Sequence, residues 1–209
     1  MATFMKQLWL GLVVVLTLFL SACSDDNAPP DVNALVYENA KPLADFSLDD
    51  QHGELVTKQQ FLGQWNLVFL GYTSCPDICP LTLAKLNAVY KNLRSDYPVQ
   101  IWFVSVDPKR DTPAKRKDYI DYFNPDFLAV SGEHKQLFPM VRGLGLIYAI
   151  SDSSESEYAV DHSASVAMVD GNGAVRAIFK PEFKQGSVPL INSKELTQEF
   201  KKIADYYKN

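Results

Sequence analysis

The sequence predicts an α/β fold, a mixed β-sheet flanked by helices with an added β-hairpin. Short apolar runs rich in β-forming residues alternate with segments whose apolar residues recur at helical spacing, and the chain closes with a hairpin and a last helix. With 209 residues, 47% of them hydrophobic, the chain can bury a core without a disulfide scaffold. The net charge of −5 argues against nucleic-acid binding, which needs positive charge to neutralise phosphates.

The first half of the domain contains two strand–helix units. The apolar run 65–70 predicts a buried strand. The helical spacing of the apolar residues in 81–93 predicts a helix, and Pro80, just before this segment, suits the first helical position. A second buried strand is expected over 99–106. Thr112 is the expected N-cap of the next helix, which runs to about residue 122.

The second half is predicted from weaker patterns and from one strong turn signal. The sequence Asp-Gly-Asn-Gly at 170–173 is typical of a hairpin turn between two strands. A final helix is expected to be capped by Ser193. The remaining expected elements are strands over 127–130, 144–150, 163–169 and 174–179 and helices over 133–143 and 194–207.

The N-terminal residues 1–22 predict a bacterial lipoprotein signal peptide. Lys6 precedes a run of 13 apolar residues, which is short for a membrane span of about 20 residues. Small residues then lead to Cys23, which we expect to carry a lipid; an uncleaved anchor helix is the alternative. Both interpretations leave the rest of the chain on the periplasmic side of a membrane, inner or outer.

A polar, proline-bearing stretch over 23–41 predicts a flexible tether. The folded domain is therefore expected to cover residues 42–209, a normal size for one domain.

Two cysteines, Cys75 and Cys79, lie where the first strong strand meets the first helix. Ligands usually bind at this edge of an α/β sheet, and a helix N-terminus favours thiolate. If Cys23 is lipidated, these are the two remaining thiols, which can close a small disulfide ring or bind one soft metal ion together. A purely structural disulfide is less favoured, because so small a ring removes little unfolded-state entropy.

The three histidines differ in their predicted surroundings. His52 lies in a turn and His134 at a helix start, so both are expected at the surface. His162 comes just before a buried strand and is more constrained, with Asp161 as a candidate to orient its ring. Taken alone, a histidine at a strand start is more often structural or solvated than a ligand.

Three motifs resemble, in the same order, those of the SCO/SenC family: CPDICP at 75–80, VSVDPKRDTP at 104–113 and DHS at 161–163. Members of this family are copper-binding assembly factors for cytochrome c oxidase and have a thioredoxin-like fold. The resemblance covers most of residues 42–207.

The resemblance implies that Cys75, Cys79 and His162 bind copper and that the two cysteines cycle between dithiol and disulfide. Two thiolates and an imidazole suit Cu(I) and Cu(II) by softness, although zinc can use the same atoms. The segment Asp107–Pro113 is expected to be structural, with Arg110 and Asp111 able to pair, rather than to ligate the metal.

The resemblance also implies a function and partners. The protein would be a membrane-anchored metallochaperone, rather than primarily an enzyme, that delivers copper to the CuA site of a cytochrome c oxidase subunit. A second periplasmic copper chaperone or a thiol reductant is a further expected partner.

Two rival functions use the same cysteines. A thiol–disulfide oxidoreductase acting on exported or oxidase-subunit cysteines would use Cys75 and Cys79 as its redox pair. The CxxxC spacing and the lack of a proline before the strand after His162 depart from thioredoxins. A peroxiredoxin-type peroxidase is less favoured, because Thr73 lies two residues before Cys75 instead of three. Copper delivery and thiol reduction stay open as alternatives that one protein can combine.

Overall fold

A computed structural model describes residues 29–151 and 158–208, and they form the predicted α/β fold. The helices are α1 (Ile78–Leu93), α2 (Pro113–Phe123), α3 (His134–Gly143) and α4 (Ser193–Tyr206), with a short 3-10 helix over Lys58–Phe61. The strands are β1 (Leu35–Pro42), β2 (Leu48–Asp49), β3 (Leu55–Val56), β4 (Trp65–Gly71), β5 (Val99–Ser105), β6 (Leu128–Val130), β7 (Tyr148–Ile150), β8 (Val160–His162), β9 (Val166–Val169) and β10 (Ala174–Phe179).

The central sheet is mixed and has the strand order β1-β10-β9-β4-β5-β6. Strands β4, β5 and β6 are parallel and are connected by α1 and α2, whereas β9, β10 and β1 add antiparallel neighbours. The carboxyl ends of β4 and β5 therefore meet at one edge of the sheet. Two further antiparallel pairs, β2–β3 and β7–β8, lie outside the central sheet.

The sheet separates two hydrophobic cores. Strand β4 is buried along its whole length, and alternate residues enter opposite cores: Leu67 and Phe69 face α1 and α4, while Val68 and Leu70 face the side covered by α3. A strand that is buried on both faces has a continuous apolar sequence, and this pattern is why β4 could be predicted.

Most predicted elements are confirmed, with boundaries shifted by a few residues. The Thr112 side chain caps α2 by accepting from the Lys115 amide, as expected. The last helix is capped by Asn192, whose side chain accepts from the Lys194 and Glu195 amides, and not by Ser193. Helix α1 begins at Ile78, so Pro80 occupies the third helical position and Cys79 lies inside the first turn. Proline fits there because first-turn amides need no helical partner.

The expected strands 144–150 and 163–169 are shorter than predicted. They shrink to β7 and β9, and the unpredicted strand β8 pairs with β7 so that His162 lies opposite Tyr148. The hairpin at 170–173 is confirmed: Gly173 has φ +77°, and the turn joins β9 to β10 within the central sheet.

The expected tether needs correction from residue 32 onward. Strand β1 pairs with β10 at the sheet edge, and Val32 and Ala34 pack against the first core. The Asn33 amide also donates to Glu199 at 2.6 Å. An edge strand with exposed and half-buried residues has a weak apolar pattern, so its composition resembles a linker.

The predicted signal peptide and the predicted lipid site at Cys23 lie outside the described residues. Within residues 29–151 and 158–208, none of the helices combines the length and the hydrophobicity that a membrane span requires.

Candidate metal centre

The loop between β4 and α1 brings Cys75 and Cys79 to the carboxyl edge of the sheet. Cys75 is half-buried in the loop, and its amide donates to the Tyr72 carbonyl at 3.2 Å. Cys79 is fully buried in the first turn of α1, where its side chain joins the first core. Both thiols are free.

His162 reaches the same place from the end of β8. Its Nε2 lies 3.3 Å from the Cys79 sulfur, and its Nδ1 lies 3.1 Å from the Ser163 carbonyl oxygen. Because a carbonyl only accepts, Nδ1 carries the proton and Nε2 presents its lone pair to the sulfur. The Ser163 carbonyl thus orients the imidazole ring, a role that the sequence suggested for Asp161. Asp161 itself is exposed.

Two aromatic rings bound the imidazole. Phe69 and Tyr72 both approach it edge-on, with ring centroids 5.9 and 6.1 Å away. These edge-on contacts limit the rotation of the imidazole ring.

The structure brings together all three residues that the sequence predicted as ligands. The two sulfurs and the imidazole nitrogen lie within 4.8 Å of one another, and within the described ranges this is the group of potential ligands close enough to hold a metal. Two sulfurs and one nitrogen form a soft donor set that suits copper, and zinc can use it too.

The other two histidines lie elsewhere. His52 is exposed, as expected. His134 is half-buried, and its Nδ1 lies 2.9 Å from the Tyr148 hydroxyl, so its predicted surface position is only partly right. Neither belongs to the group of potential ligands.

The two thiols are electrostatically unlike each other. A hydrogen bond from the Cys79 thiol lowers the pKa of Cys75 to about 3. The same hydrogen bond and burial raise the pKa of Cys79 well above its usual value. Near neutral pH, Cys75 is therefore a thiolate, while Cys79 keeps its proton. Burial, with a smaller contribution from Cys75, raises the pKa of Tyr72 to about 12, so its hydroxyl also stays protonated.

Sequence reasoning missed the role of Gly71, the last residue of β4. A Cβ at this position would lie 2.6 Å from Phe103 Cε2 and 2.9 Å from the Cys79 sulfur. The missing side chain therefore lets the cysteine pack directly against the strand end. A glycine that closes an apolar strand just before the cysteine motif is the signal that could have indicated this close approach.

The role of Asp111 was also missed: this residue holds the cysteine loop. This fully buried carboxylate accepts from the Thr73 amide at 2.8 Å, from the Thr73 hydroxyl at 2.6 Å and from the Ser105 hydroxyl at 2.6 Å. The expected pairing of Arg110 with Asp111 is wrong: the guanidinium forms its ion pair with Asp107. The structural role predicted for this segment agrees with these contacts.

Several known proteins are similar to this chain. A SCO2-like protein from Rickettsia prowazekii is 35% identical over 162 residues, which cover 75% of this chain and 74% of that protein. The crystal structure of Arabidopsis thaliana ScoI with copper bound is 28% identical, with a TM-score of 0.66, and the match covers 78% of this chain and 98% of that one.

Bradyrhizobium japonicum ScoI with copper bound is 30% identical, with a TM-score of 0.61 over 80% of this chain and 98% of that chain. These likenesses agree with the thioredoxin-like fold expected from the sequence. The family model described as SCO1/SenC matches residues 37–191. Since this match covers most of the sequence, the chain belongs to the SCO1/SenC family.

Proposed function

We propose that this protein binds one copper ion through Cys75, Cys79 and His162 and acts in the assembly of cytochrome c oxidase. The observation that carries the proposal is the convergence of two sulfurs and Nε2 within 4.8 Å. Similar ScoI proteins have been solved with copper bound, which supports copper over zinc as the metal.

The chain's own residues prepare the site for this ion. The Cys75 thiolate is ready to bind, and Cys79 must release its proton, so binding frees a proton. Nδ1 of His162 donates to the Ser163 carbonyl and leaves Nε2 as the donor. Bound copper supplies one-electron chemistry, with thiolates favouring Cu(I) and the imidazole suiting Cu(II). Cys75 and His162 are half-buried, so a partner can reach the site.

Metal titration tests this proposal. Reduced full-length protein in detergent is titrated anaerobically with Cu(I) and with Cu(II) against a competing chelator. We expect one copper per chain and a sulfur-to-copper charge-transfer band with Cu(II). Cys75→Ser or Cys79→Ser should each abolish tight binding, whereas Ser74→Ala, an exposed neighbour, should not. Tight binding that survives either cysteine substitution would refute the assignment.

A second candidate function is thiol–disulfide exchange, which the unequal thiols favour. A half-exposed thiolate followed by a buried, protonated thiol is the arrangement of an attacking and a resolving cysteine. The Cys75 thiolate would attack a target disulfide, expelling one target thiolate and forming a mixed disulfide. Cys79 would then lose its proton and attack Cys75, releasing the second target thiolate and leaving the Cys75–Cys79 disulfide.

Trapping of the mixed disulfide tests this candidate. A reduced Cys79→Ser variant mixed with a disulfide-bonded dicysteine peptide should accumulate a covalent adduct at Cys75. A reduced Cys75→Ser variant should not. Equal adduct formation by both variants would contradict the assigned order of attack.

We also propose that residues 1–22 are removed and that Cys23 carries a lipid holding the protein on the periplasmic side of a bacterial membrane. The apolar run and the small residues before Cys23 support this proposal. Cells fed a labelled fatty acid should label the wild-type protein and Cys75→Ala, but not Cys23→Ala. Label that persists in Cys23→Ala would refute it.

The proposed recipient of the copper is the oxidase subunit that carries the CuA site, with a periplasmic copper chaperone or thiol reductant as a further partner. Loaded protein mixed with the copper-free, reduced subunit should produce the CuA absorption. Copper that stays on the loaded protein would contradict delivery.

A further inference from the structure

The loop between β5 and α2 contacts the segment that leads into β8. Arg110 pairs with the buried Asp107 carboxylate, and its Nη1 donates to the Tyr158 carbonyl at 3.3 Å. The guanidinium carbon lies 3.9 Å from the centroid of the Tyr158 ring. The Tyr158 hydroxyl donates back to Asp107, so a charged pair and a ring close a small network.

This network lies next to His162 in both the chain and the fold. Tyr158 comes two residues before β8, which ends at His162. On its other side, the Arg110 guanidinium carbon lies 5.7 Å from the Tyr72 ring, which approaches the imidazole edge-on. Arg110 therefore touches both the segment that carries the histidine and an aromatic neighbour of its ring.

Strand β8 needs such contacts, because it does not belong to the central sheet. It pairs with β7 in a separate sheet of three residues per strand. The central sheet positions the two cysteines through β4, whereas side-chain packing and polar contacts must position the histidine.

We propose that Arg110 is a positioning residue that, through Asp107 and Tyr158, holds β8 so that His162 Nε2 stays beside the Cys79 sulfur. This inference rests on the proposed copper site and concerns the contacts that hold its histidine in place. Asp111, in the same loop as Arg110, binds Thr73 in the loop that carries Cys75. The loop between β5 and α2 therefore fixes the position of the cysteine loop relative to β8.

The role requires the shape of arginine and not its charge alone. A planar guanidinium can pair with a carboxylate, donate to a carbonyl and stack on a ring at the same time, whereas a lysine ammonium cannot. Two thiolates satisfy Cu(I), while Cu(II) prefers additional nitrogen donors. Loss of the arginine should therefore weaken Cu(II) binding far more than Cu(I) binding.

A double-mutant cycle tests the proposal on the full-length protein. We expect Arg110→Met to lower Cu(II) affinity by roughly 10- to 100-fold, the usual effect of losing a partner that orients a ligand. In a His162→Ala background the same substitution should cause no further loss, because no imidazole remains to be positioned. Arg142→Met, at an exposed position on α3, is the control. Additive losses, or unchanged Cu(II) binding by Arg110→Met, would overturn the proposal.

A metal-free measurement separates this inference from the proposed function. In the apo protein, Arg110→Met should speed amide hydrogen exchange in β7 and β8 and leave α1 unchanged. If Arg110→Met does not fold, Arg110→Lys takes its place, since it keeps the charge and loses the planar fork; it should show the same selective exchange. Faster exchange throughout the domain, or no increase in exchange in β7 and β8, would refute the positioning role even if wild-type copper binding is normal.

Discussion

Replacing Gly71 with alanine should disturb the metal centre through a single methyl group. The added Cβ would lie 2.6 Å from Phe103 Cε2 and 2.9 Å from the Cys79 sulfur, both well inside van der Waals contact. Phe103 and Cys79 are fully buried, so neither can move away freely. Gly71 does not have a positive φ, so the change acts through these contacts and not through backbone strain.

Gly71→Ala should lower both the stability of the domain and its affinity for copper. Overpacking in a close-packed core costs about 1–3 kcal/mol of unfolding free energy. For a domain of this size that lowers the melting temperature by roughly 2–12 °C. Displacement of the Cys79 sulfur should also weaken Cu(II) binding by about 10- to 100-fold, comparable to the loss of an orienting contact.

Gly132→Ala provides a matched control. Its added Cβ would lie 2.8 Å from Leu48 Cδ2, a comparable clash, but on the other core and away from the cysteines. Thermal unfolding of the apo proteins and Cu(II) titration of both variants form the assay. We expect both to lose stability and only Gly71→Ala to lose copper affinity. Equal copper affinity in the two variants would refute the close-packing argument for Gly71.

Three further predictions concern the thiols and the loop that holds them. Because a disulfide offers no thiolate, fully oxidised protein should give no thiolate–copper absorption; a normal Cu(II) spectrum from it would contradict the thiolate site. Because the pKa of Cys75 is about 3, iodoacetamide should alkylate this residue almost equally fast between about pH 8 and 5, where an ordinary thiol with a pKa near 8.5 slows more than 100-fold. Cys79→Ala, which removes the hydrogen-bond donor, should move the midpoint upward, and an unperturbed profile in the wild type would be inconsistent with the hydrogen bond. Asp111→Ala leaves the Thr73 amide and hydroxyl without their acceptor and should destabilise the apo protein by about 2–4 kcal/mol in denaturant unfolding; a loss below about 0.5 kcal/mol would show that the carboxylate does not hold the loop.

Much of the fold was predictable, because its central elements have strong periodic patterns. Strands β4 and β5 are continuous apolar runs, and α1 repeats leucines at helical spacing. Parallel strands joined by helices place Cys75 and Cys79 at the carboxyl edge of the sheet, so two of the three potential ligands follow from local sequence.

The approach of His162 to Cys79 could not be predicted from the pattern alone. The two residues are 83 positions apart, and the histidine lies on a three-residue strand whose partner is equally short. Only the family resemblance joined them at the sequence level. The network of Arg110 with Asp107 and Tyr158 likewise depends on tertiary contacts between distant segments, which carry no periodic signal.

The prediction failed at the edge strand β1, which overlaps the predicted tether, for a different reason. Strand β1 is half-exposed, so the apolar alternation that marks a strand is weak there. Its pairing with β10 provides hydrogen bonds that a polar, proline-bearing composition does not reveal.

X-ray absorption at the copper edge tests the central claim most directly, because it counts the ligands of the bound ion. Reduced full-length protein loaded with one equivalent of Cu(II) should show two sulfur neighbours and the multiple-scattering pattern of one imidazole. His162→Ala should keep the two sulfurs and lose the imidazole pattern. A wild-type spectrum with fewer than two sulfurs, or an imidazole pattern that persists in His162→Ala, would contradict a site built from Cys75, Cys79 and His162.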